Sequence, residues 1–195
     1  MSYDDIYYVA ISIAPGARFM FTEECEDEAD EIYAFGPVEI KQKLTIILKK
    51  PIPKKIEFGD FNKAGRPVFS LKAATIIKNG FLGINQLFPA EATHKGVVYP
   101  DFYVFKPNIE LEVMHKERSD YSKSDSGLSY FIDALSLDET KLDNVEEDQR
   151  WIIVLAEDPA KILYHEKVVK ALEDANVIGV RFVKVSKWNT GSAFD

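Results

Sequence analysis

Three histidines and one cysteine are the residues of this chain best suited to bind a transition metal or to act as a nucleophile. His94, His115 and His165 form no HxxxH or CxxC pattern, the kind of spacing that brings zinc ligands together. Cys25 lies among acidic residues, whose charges disfavour the thiolate that nucleophilic attack requires. The sequence also contains no G-x-S-x-G elbow, P-loop or G-x-G-x-x-G fingerprint. We therefore predict no metal, no cofactor and no catalytic residue.

Two acidic segments are the strongest local bias in the chain. Seven acids occupy the nine positions 23–31, and six occupy the eleven positions 138–148. Like charges at this density cannot pack together, so each segment is either an ordinary solvated loop or a surface that a basic partner neutralises. In the second case the carboxylates would bind the arginine and lysine side chains with which a nuclease holds phosphate. The attraction between opposite charges would also make association of the two proteins fast. The candidate partner-binding residues are Glu23, Glu24, Glu26, Asp27, Glu28, Asp30, Glu31, Asp138, Glu139, Glu146, Glu147 and Asp148.

The net charge of −8 is unevenly distributed along the chain. Residues 39–72 hold nine basic and three acidic side chains, and the remainder holds 15 basic and 29 acidic ones. Nucleic-acid binding needs a basic surface that contacts phosphates, and most of this surface would repel it. The distribution instead favours a basic protein partner.

Hydrophobic periodicity and turn residues predict the elements that position these side chains. Strands are expected at residues 6–13, 18–22 (a short partner of the first), 41–48, 87–93, 97–105, 109–114, 130–137, 151–156 and 179–185. A helix is expected at 67–79, with Ser70 as N-cap and with Leu71, Ala74 and Ile77 or Lys78 on one face. A second helix is expected at 164–175 after an Asp158–Pro159 start signal, with Val168, Leu172 and Ala175 buried. Residues 15–16 are expected to form a turn, 51–55 an extended connector, 119–126 a loop and 189–195 a loose tail.

These elements predict an α+β fold, a mixed and mostly antiparallel sheet with two main helices. We place a boundary near Gly65, between a β-rich N-terminal subdomain (1–65) and an α+β domain (66–195). The single cysteine gives no reason to expect an oxidising compartment. The N-terminus lacks a basic and apolar leader, and no apolar run approaches the ~18 residues of a membrane span. We therefore expect a cytoplasmic protein that does not enter a membrane.

Four segments carry a resemblance to a known family. They are RPVFSLKAATIIKNG (66–80), YPDFYVFKPNIELEVMHKERSDY (99–121), FIDALSLDETKL (131–142) and RWIIVLAEDPAKILYHEKVVKALEDANVIGVRF (150–182). In order, they are similar to the first helix, the Tyr-rich strand with a central Asn, the strand with an acidic turn, and the closing strand–helix–strand of a family of bacterial immunity proteins. That family, formerly described as a domain of unknown function, neutralises polymorphic toxins in bacterial competition. The resemblance covers about residues 66–185.

The resemblance implies a non-catalytic protein that binds and inhibits a cognate toxin through an acidic and aromatic surface. A basic toxin fits the charge distribution. Two other classes of protein stay open. A small cytosolic enzyme or ligand-binding domain would line a pocket with dispersed aromatic residues such as Tyr99, Phe102, Tyr103 and Phe105, although their alternation also suits the core of a sheet. A structural or adaptor component of a secretion apparatus is the third class.

Overall fold

The computed structural model describes residues 2–13, 19–34, 36–50, 57–124 and 130–193. In chain order, the strands are β1 (Tyr7–Ser12), β2 (Phe19–Phe21), β3 (Leu44–Leu48), β4 (Phe61–Ala64), β5 (Arg66–Ser70), β6 (Gln86–His94), β7 (Val97–Lys106), β8 (Glu110–Leu111), β9 (Asp120–Lys123), β10 (Tyr130–Ala134), β11 (Ile152–Leu155), β12 (Asp158–His165) and β13 (Val180–Lys184). The α-helices are α1 (Glu26–Tyr33), α2 (Leu71–Gly80), α3 (Glu139–Asp143) and α4 (Glu166–Asp174). The turn at 15–16 and the connector at 51–55 lie outside the described residues.

The chain divides into two compact units that interleave in sequence. The first unit comprises Met1–Ile11, Ile109–Ala171 and Arg181–Asp195, and the second comprises Ser12–Asn108 and Leu172–Val180. The sequence-based boundary at Gly65 differs from this division, because Gly65 lies in the turn between β4 and β5, inside the second unit. The prediction cut the chain at a single point, whereas each observed unit combines segments that are distant in the sequence, because their strands pair.

The first unit contains a five-stranded sheet of order β13-β1-β12-β11-β8 and a two-stranded β9–β10 sheet. β11 reads Ile-Ile-Val-Leu and is buried at all four positions, so both of its faces are covered. β12 pairs antiparallel with both β1 and β11, and Leu163 lies opposite Val9 on one side and Ile153 on the other. The core collects Tyr7, Leu155 and other apolar side chains of these strands.

The second unit is built on a six-stranded sheet of order β2-β3-β6-β7-β5-β4. β3 and β6 pair in parallel, while the β6–β7 hairpin and the β4–β5 hairpin are antiparallel. Its core holds Leu44, Ile46 and Val104 from the sheet and Ile32 from α1. The predicted α+β class is confirmed, with mixed and mostly antiparallel sheets.

The predicted helix start at Asp158–Pro159 is wrong, because this pair begins β12. Two neighbouring strands supply hydrogen-bond partners for the segment, and that pairing outweighs the local start signal. The helix begins at Glu166 instead, and it buries Val168 and Leu172, as predicted.

The helix predicted at 67–79 begins later, at Leu71, because residues 66–70 form β5 between β4 and β7. Ser70 is its N-cap, as predicted, and its Oγ accepts a hydrogen bond from the Ala73 N–H at 3.4 Å. The buried face is Ala73, Ala74 and Ile77, whereas Leu71, predicted on the same face as Ala74, is 49% exposed.

Three further expectations are corrected. The segment 119–126, predicted as a loop, contains β9, which pairs antiparallel with β10. β2 pairs with β3 and not with the first strand. In the predicted loose tail, Asn189 bridges to Ala134 and Ser192 is buried. In each case a tertiary partner orders a segment whose own sequence is polar or short.

Candidate functional site

The acidic segment 23–31 forms a 3-10 turn at Glu23–Cys25 followed by α1. Cys25, Ala29 and Ile32 are buried, and this spacing of four and three residues places them on one face of the helix. Six of the seven acids are exposed on the remaining faces, and Glu28 is half-buried. The prediction treated the segment as a charge run and missed the helix. The apolar spacing at 25, 29 and 32 is the signal that would have found it.

The dipole of α1 stabilises the acids at its N-terminus and destabilises those at its C-terminus. Glu26 and Asp27 lie in the first turn, where the helix dipole stabilises negative charge, whereas Asp30 and Glu31 lie near the opposite end. Within the described part of the chain, none of the seven acids forms a salt bridge. Glu28 accepts a hydrogen bond from the Gln42 side-chain amide, and the six exposed carboxylates are available to a cationic partner.

A buried lysine holds the end of α1. The Lys106 Nζ donates a hydrogen bond to the Ala34 carbonyl oxygen at 2.6 Å, which satisfies one of the terminal acceptors of the helix. Burial lowers the pKa of Lys106, the positive charge of Arg66 lowers it further, and Glu31 opposes both. The role of Lys106 that these contacts support is structural, because its amine is committed to the helix end.

The second acidic segment is engaged within its own unit. Asp138 is the N-cap of α3 and accepts from the Lys141 N–H at 3.3 Å, while Glu139 accepts from the Ser2 hydroxyl at 2.8 Å. Glu147 forms a salt bridge with Lys167 at 2.6 Å, and this hydrogen bond with its attraction to Lys167 holds the pKa of Glu147 below its ordinary value. Asp138, Glu139 and Glu147 of this segment therefore already have partners within the protein.

Only Glu146 and Asp148 of the second segment's candidates resemble the acids of α1, since both are exposed and their carboxylates accept no hydrogen bond from a described residue. The two segments lie in different units. The six exposed acids of residues 23–31, which we call the acidic face of α1, include more carboxylates without a partner than the second segment does.

A cavity of about 630 Å³ lies in the first unit, where β10 and the β11–β12 turn approach each other. Its lining comprises Tyr130, Phe131, Ile132, Asp133, Ala156, Glu157, Asp158, Pro159, Lys161 and Thr190. The carboxylates of Asp133, Glu157 and Asp158 outnumber the single ammonium group of Lys161. The sequence did not predict this pocket, because β10 and the turn are brought together only by tertiary packing.

Within the described ranges, no three His, Cys, Asp or Glu residues are arranged to hold a metal ion. His165 ends β12, and its Nδ1 accepts from the Lys167 N–H at 3.2 Å while its ring packs edge-on against Tyr7 and Trp151. Burial lowers the pKa of His165, and the negative charge of Glu166 partly opposes this. His165 is therefore a packed and hydrogen-bonded residue.

The aromatic residues considered for a pocket belong mainly to the sheet of the second unit. Phe102 is 6% exposed and packs against Phe19 and Phe58, and Phe105 is fully buried. Tyr99 and Tyr103 are half-buried. None of the four lines the described cavity, which takes its aromatic residues from β10.

Comparison with protein-family models finds no matching family, and comparison with curated proteins finds no similar sequence. In the part of the chain that the structure describes, no helix is both long and apolar enough to span a membrane.

Proposed function

We propose that this chain is a cytoplasmic immunity protein, which binds a cognate toxin and inhibits it without catalysing a reaction. The observation that carries the proposal is the exposed acidic face of α1. Ile32 packs in the core of the sheet beneath it, and the Cys25 Sγ accepts a hydrogen bond from the Thr45 N–H at 3.4 Å. The resemblance of residues 66–185 to the immunity family supplies the biological class. The acidic face supplies the chemistry of recognition.

A rigid helix is a better recognition surface than a solvated loop of the same composition. Its backbone is ordered before the partner arrives, so association does not include the entropic cost of ordering it. Its uncompensated carboxylates attract a basic surface at long range and can accept charge-assisted hydrogen bonds from arginine and lysine at contact. A toxin that uses such side chains to hold phosphate would lose access to its substrate.

An aromatic residue adjoins the acidic face. Tyr33, the last residue of α1, is 46% exposed, and its hydroxyl donates to the Ala64 carbonyl oxygen at 3.0 Å. This hydrogen bond restrains the ring, and a restrained and exposed tyrosine is a favourable anchor in protein interfaces. Tyr33 together with the acids of α1 thus combines apolar burial with charge.

The cavity in the first unit favours a second candidate function, that of a ligand-binding domain or small enzyme. Tyr130 and Phe131 provide aromatic surface, and Glu157 provides a buried carboxylate. An aromatic wall with a few convergent polar groups is the usual composition of a small-molecule site. A binding screen of the full chain against metabolites would identify such a ligand.

The test of the main proposal is affinity capture of the tagged full-length protein from its own cells, at low and high salt. We expect one basic, toxin-like polypeptide, released at high salt because the Debye length falls from ~10 Å at 0.1 M to ~3 Å at 1 M. A variant in which four exposed acids of residues 23–31 are neutralised should reduce the recovery of this polypeptide at least tenfold. The substitutions are Glu24→Gln, Asp27→Asn, Asp30→Asn and Glu31→Gln.

A matched control neutralises four exposed acids elsewhere, Glu112→Gln, Glu117→Gln, Asp120→Asn and Glu173→Gln. It removes the same charge, so a general electrostatic effect would weaken capture equally in both variants. Co-expression with the captured polypeptide then measures protection of the cells. Capture of no specific partner, or a partner whose toxicity the protein leaves unchanged, would contradict the proposal.

A further inference from the structure

The cavity of the first unit contains a carboxylate with unused hydrogen-bonding capacity. Glu157 is 8% exposed, and its Oε1 accepts from the Met114 N–H at 3.0 Å. Its buried Oε2 accepts no hydrogen bond from any described residue. A buried polar atom without a partner is costly, and proteins rarely keep one without a function for it. A donor that enters the cavity would remove this cost.

The cation already present in the cavity is committed elsewhere. The Lys161 Nζ forms a salt bridge with Asp158 Oδ2 at 3.0 Å and lies over the Trp188 ring, 5.3 Å from its centroid. Asp133 accepts from the Thr190 hydroxyl at 3.1 Å. Among these lining groups, the Glu157 Oε2 is the buried charged atom that has no partner.

These features select the chemistry of the ligand. A guanidinium group donates in a planar fork to a carboxylate and also stacks on an aromatic ring, which the 61% exposed Phe131 supplies. The Tyr130 ring already lies under the Lys123 Nζ, 5.4 Å from its centroid. A free amino acid would need a second cation for its own carboxylate, and Lys161 is already paired. The ligand therefore presents its cation without an adjacent carboxylate, as an arginine within a polypeptide does.

We propose that this cavity binds an arginine side chain of a protein partner, with Glu157 as the carboxylate that receives it. The inference deepens the proposed function and rests on it, because the partner would be the same basic toxin. Since Oε2 is covered in the free protein, binding requires lining side chains to move. The exposed side chain of Phe131 has the freedom to do so.

The test is an NMR titration of the full-length ¹⁵N-labelled protein with N-acetyl-arginine-N-methylamide. We expect shifts at the amides of cavity residues such as Ile132 and Ala156, with a Kd on the order of a millimolar for so small a probe. The citrulline analogue has nearly the same shape without the charge, and it should bind at least tenfold more weakly. This comparison needs no variant and so does not depend on whether a variant folds.

Two variants assign the effect to Glu157. Glu157→Gln keeps an acceptor for the Met114 N–H and should weaken the arginine probe at least tenfold, whereas the exposed control Glu117→Gln should leave it unchanged. Equal binding by Glu157→Gln, equal binding of the citrulline analogue, or shifts confined to α1 would overturn the proposal. So would free arginine binding more tightly than the blocked probe, since that would indicate a metabolite site. Failure here leaves the capture experiment unaffected, so the two proposals can fail separately.

Discussion

Asp60 joins three segments of the second unit, and its substitution by Asn tests how far one carboxylate stabilises this arrangement. Oδ1 accepts from the Ser70 hydroxyl at 2.7 Å, and Oδ2 accepts from the Lys72 Nζ and the Ile178 N–H, both at 3.0 Å. Asp60→Asn keeps one oxygen for Ser70. It places an amide NH₂ opposite two donors, so both bonds at Oδ2 are lost.

The size of the effect follows from these two bonds. A hydrogen bond from a backbone amide to a charged acceptor contributes ~1.5–3 kcal/mol, whereas the ion pair to Lys72, whose side chain is 44% exposed, contributes at most ~1 kcal/mol. We therefore expect Asp60→Asn to lower the free energy of unfolding at neutral pH by about 2–4 kcal/mol. Lys72→Met removes the exposed ion pair and also the hydrogen bond from Lys72 to the Asn176 carbonyl oxygen at 2.7 Å, and it should cost about 1–2 kcal/mol.

The pH dependence gives an independent check of the charge. Partial burial alone would raise the pKa of Asp60, but the hydrogen bonds from Ser70, Ile178 and Lys72 outweigh it and hold the pKa below the ordinary 3.8. The stabilisation is thus fully present above pH 3.8 and is lost as the pH falls through the lower pKa of the folded state.

Urea unfolding of the wild type and the variant at neutral pH and in acid measures both quantities. A difference below about 0.5 kcal/mol at neutral pH would refute the reasoning, since that is the ordinary effect of a surface substitution. So would a difference that stays constant in acid.

Two further predictions concern backbone strain and a buried histidine. Gly65 has φ +73° and a Cβ there would lie 1.9 Å from the Tyr33 hydroxyl, so Gly65→Ala should cost about 2 kcal/mol or more. Gly96, with φ +77° and open space around it, is the control, and Gly96→Ala should cost about 1 kcal/mol; equal losses in urea unfolding would contradict the clash. Because burial lowers the pKa of His165, its NMR titration midpoint should lie below 6.5, and its contribution to stability should fall as pH drops through 6.5. A midpoint at or above 6.5 would show that the ring is not desolvated.

Several elements could be predicted because their signals are local. The β6–β7 hairpin turns at Lys95–Gly96, whose positive φ angles suit a tight turn, and β11 is a short apolar run with both faces buried. Ser70 begins α2 because its own hydroxyl accepts from a backbone N–H three residues on. In each case, the residues that set the structure lie within one turn or one hairpin of each other.

Other elements depended on partners that are distant in sequence. Ile162, Leu163 and Tyr164 suit the start of a helix as well as a strand, and pairing with β11 and β1 decides for a strand. α1 was hidden by its charges, although it buries Ala29 and Ile32, and Ile32 packs in the core of the second unit. Local propensity differs by a few tenths of a kcal/mol per residue, so burial and pairing outweigh it.

The candidate sites divide in the same way. The sequence by itself determined the excess of negative charge and the two acidic segments, because composition needs no fold. Only the tertiary structure decided that α1 leaves most of its carboxylates uncommitted while α3 and its neighbours use theirs as a cap, a hydroxyl acceptor and an ion pair. Only the tertiary structure brings β10 to the turn that holds Glu157. Whether a carboxylate is committed or available depends on neighbours in space, and those are fixed by packing between segments far apart in the chain.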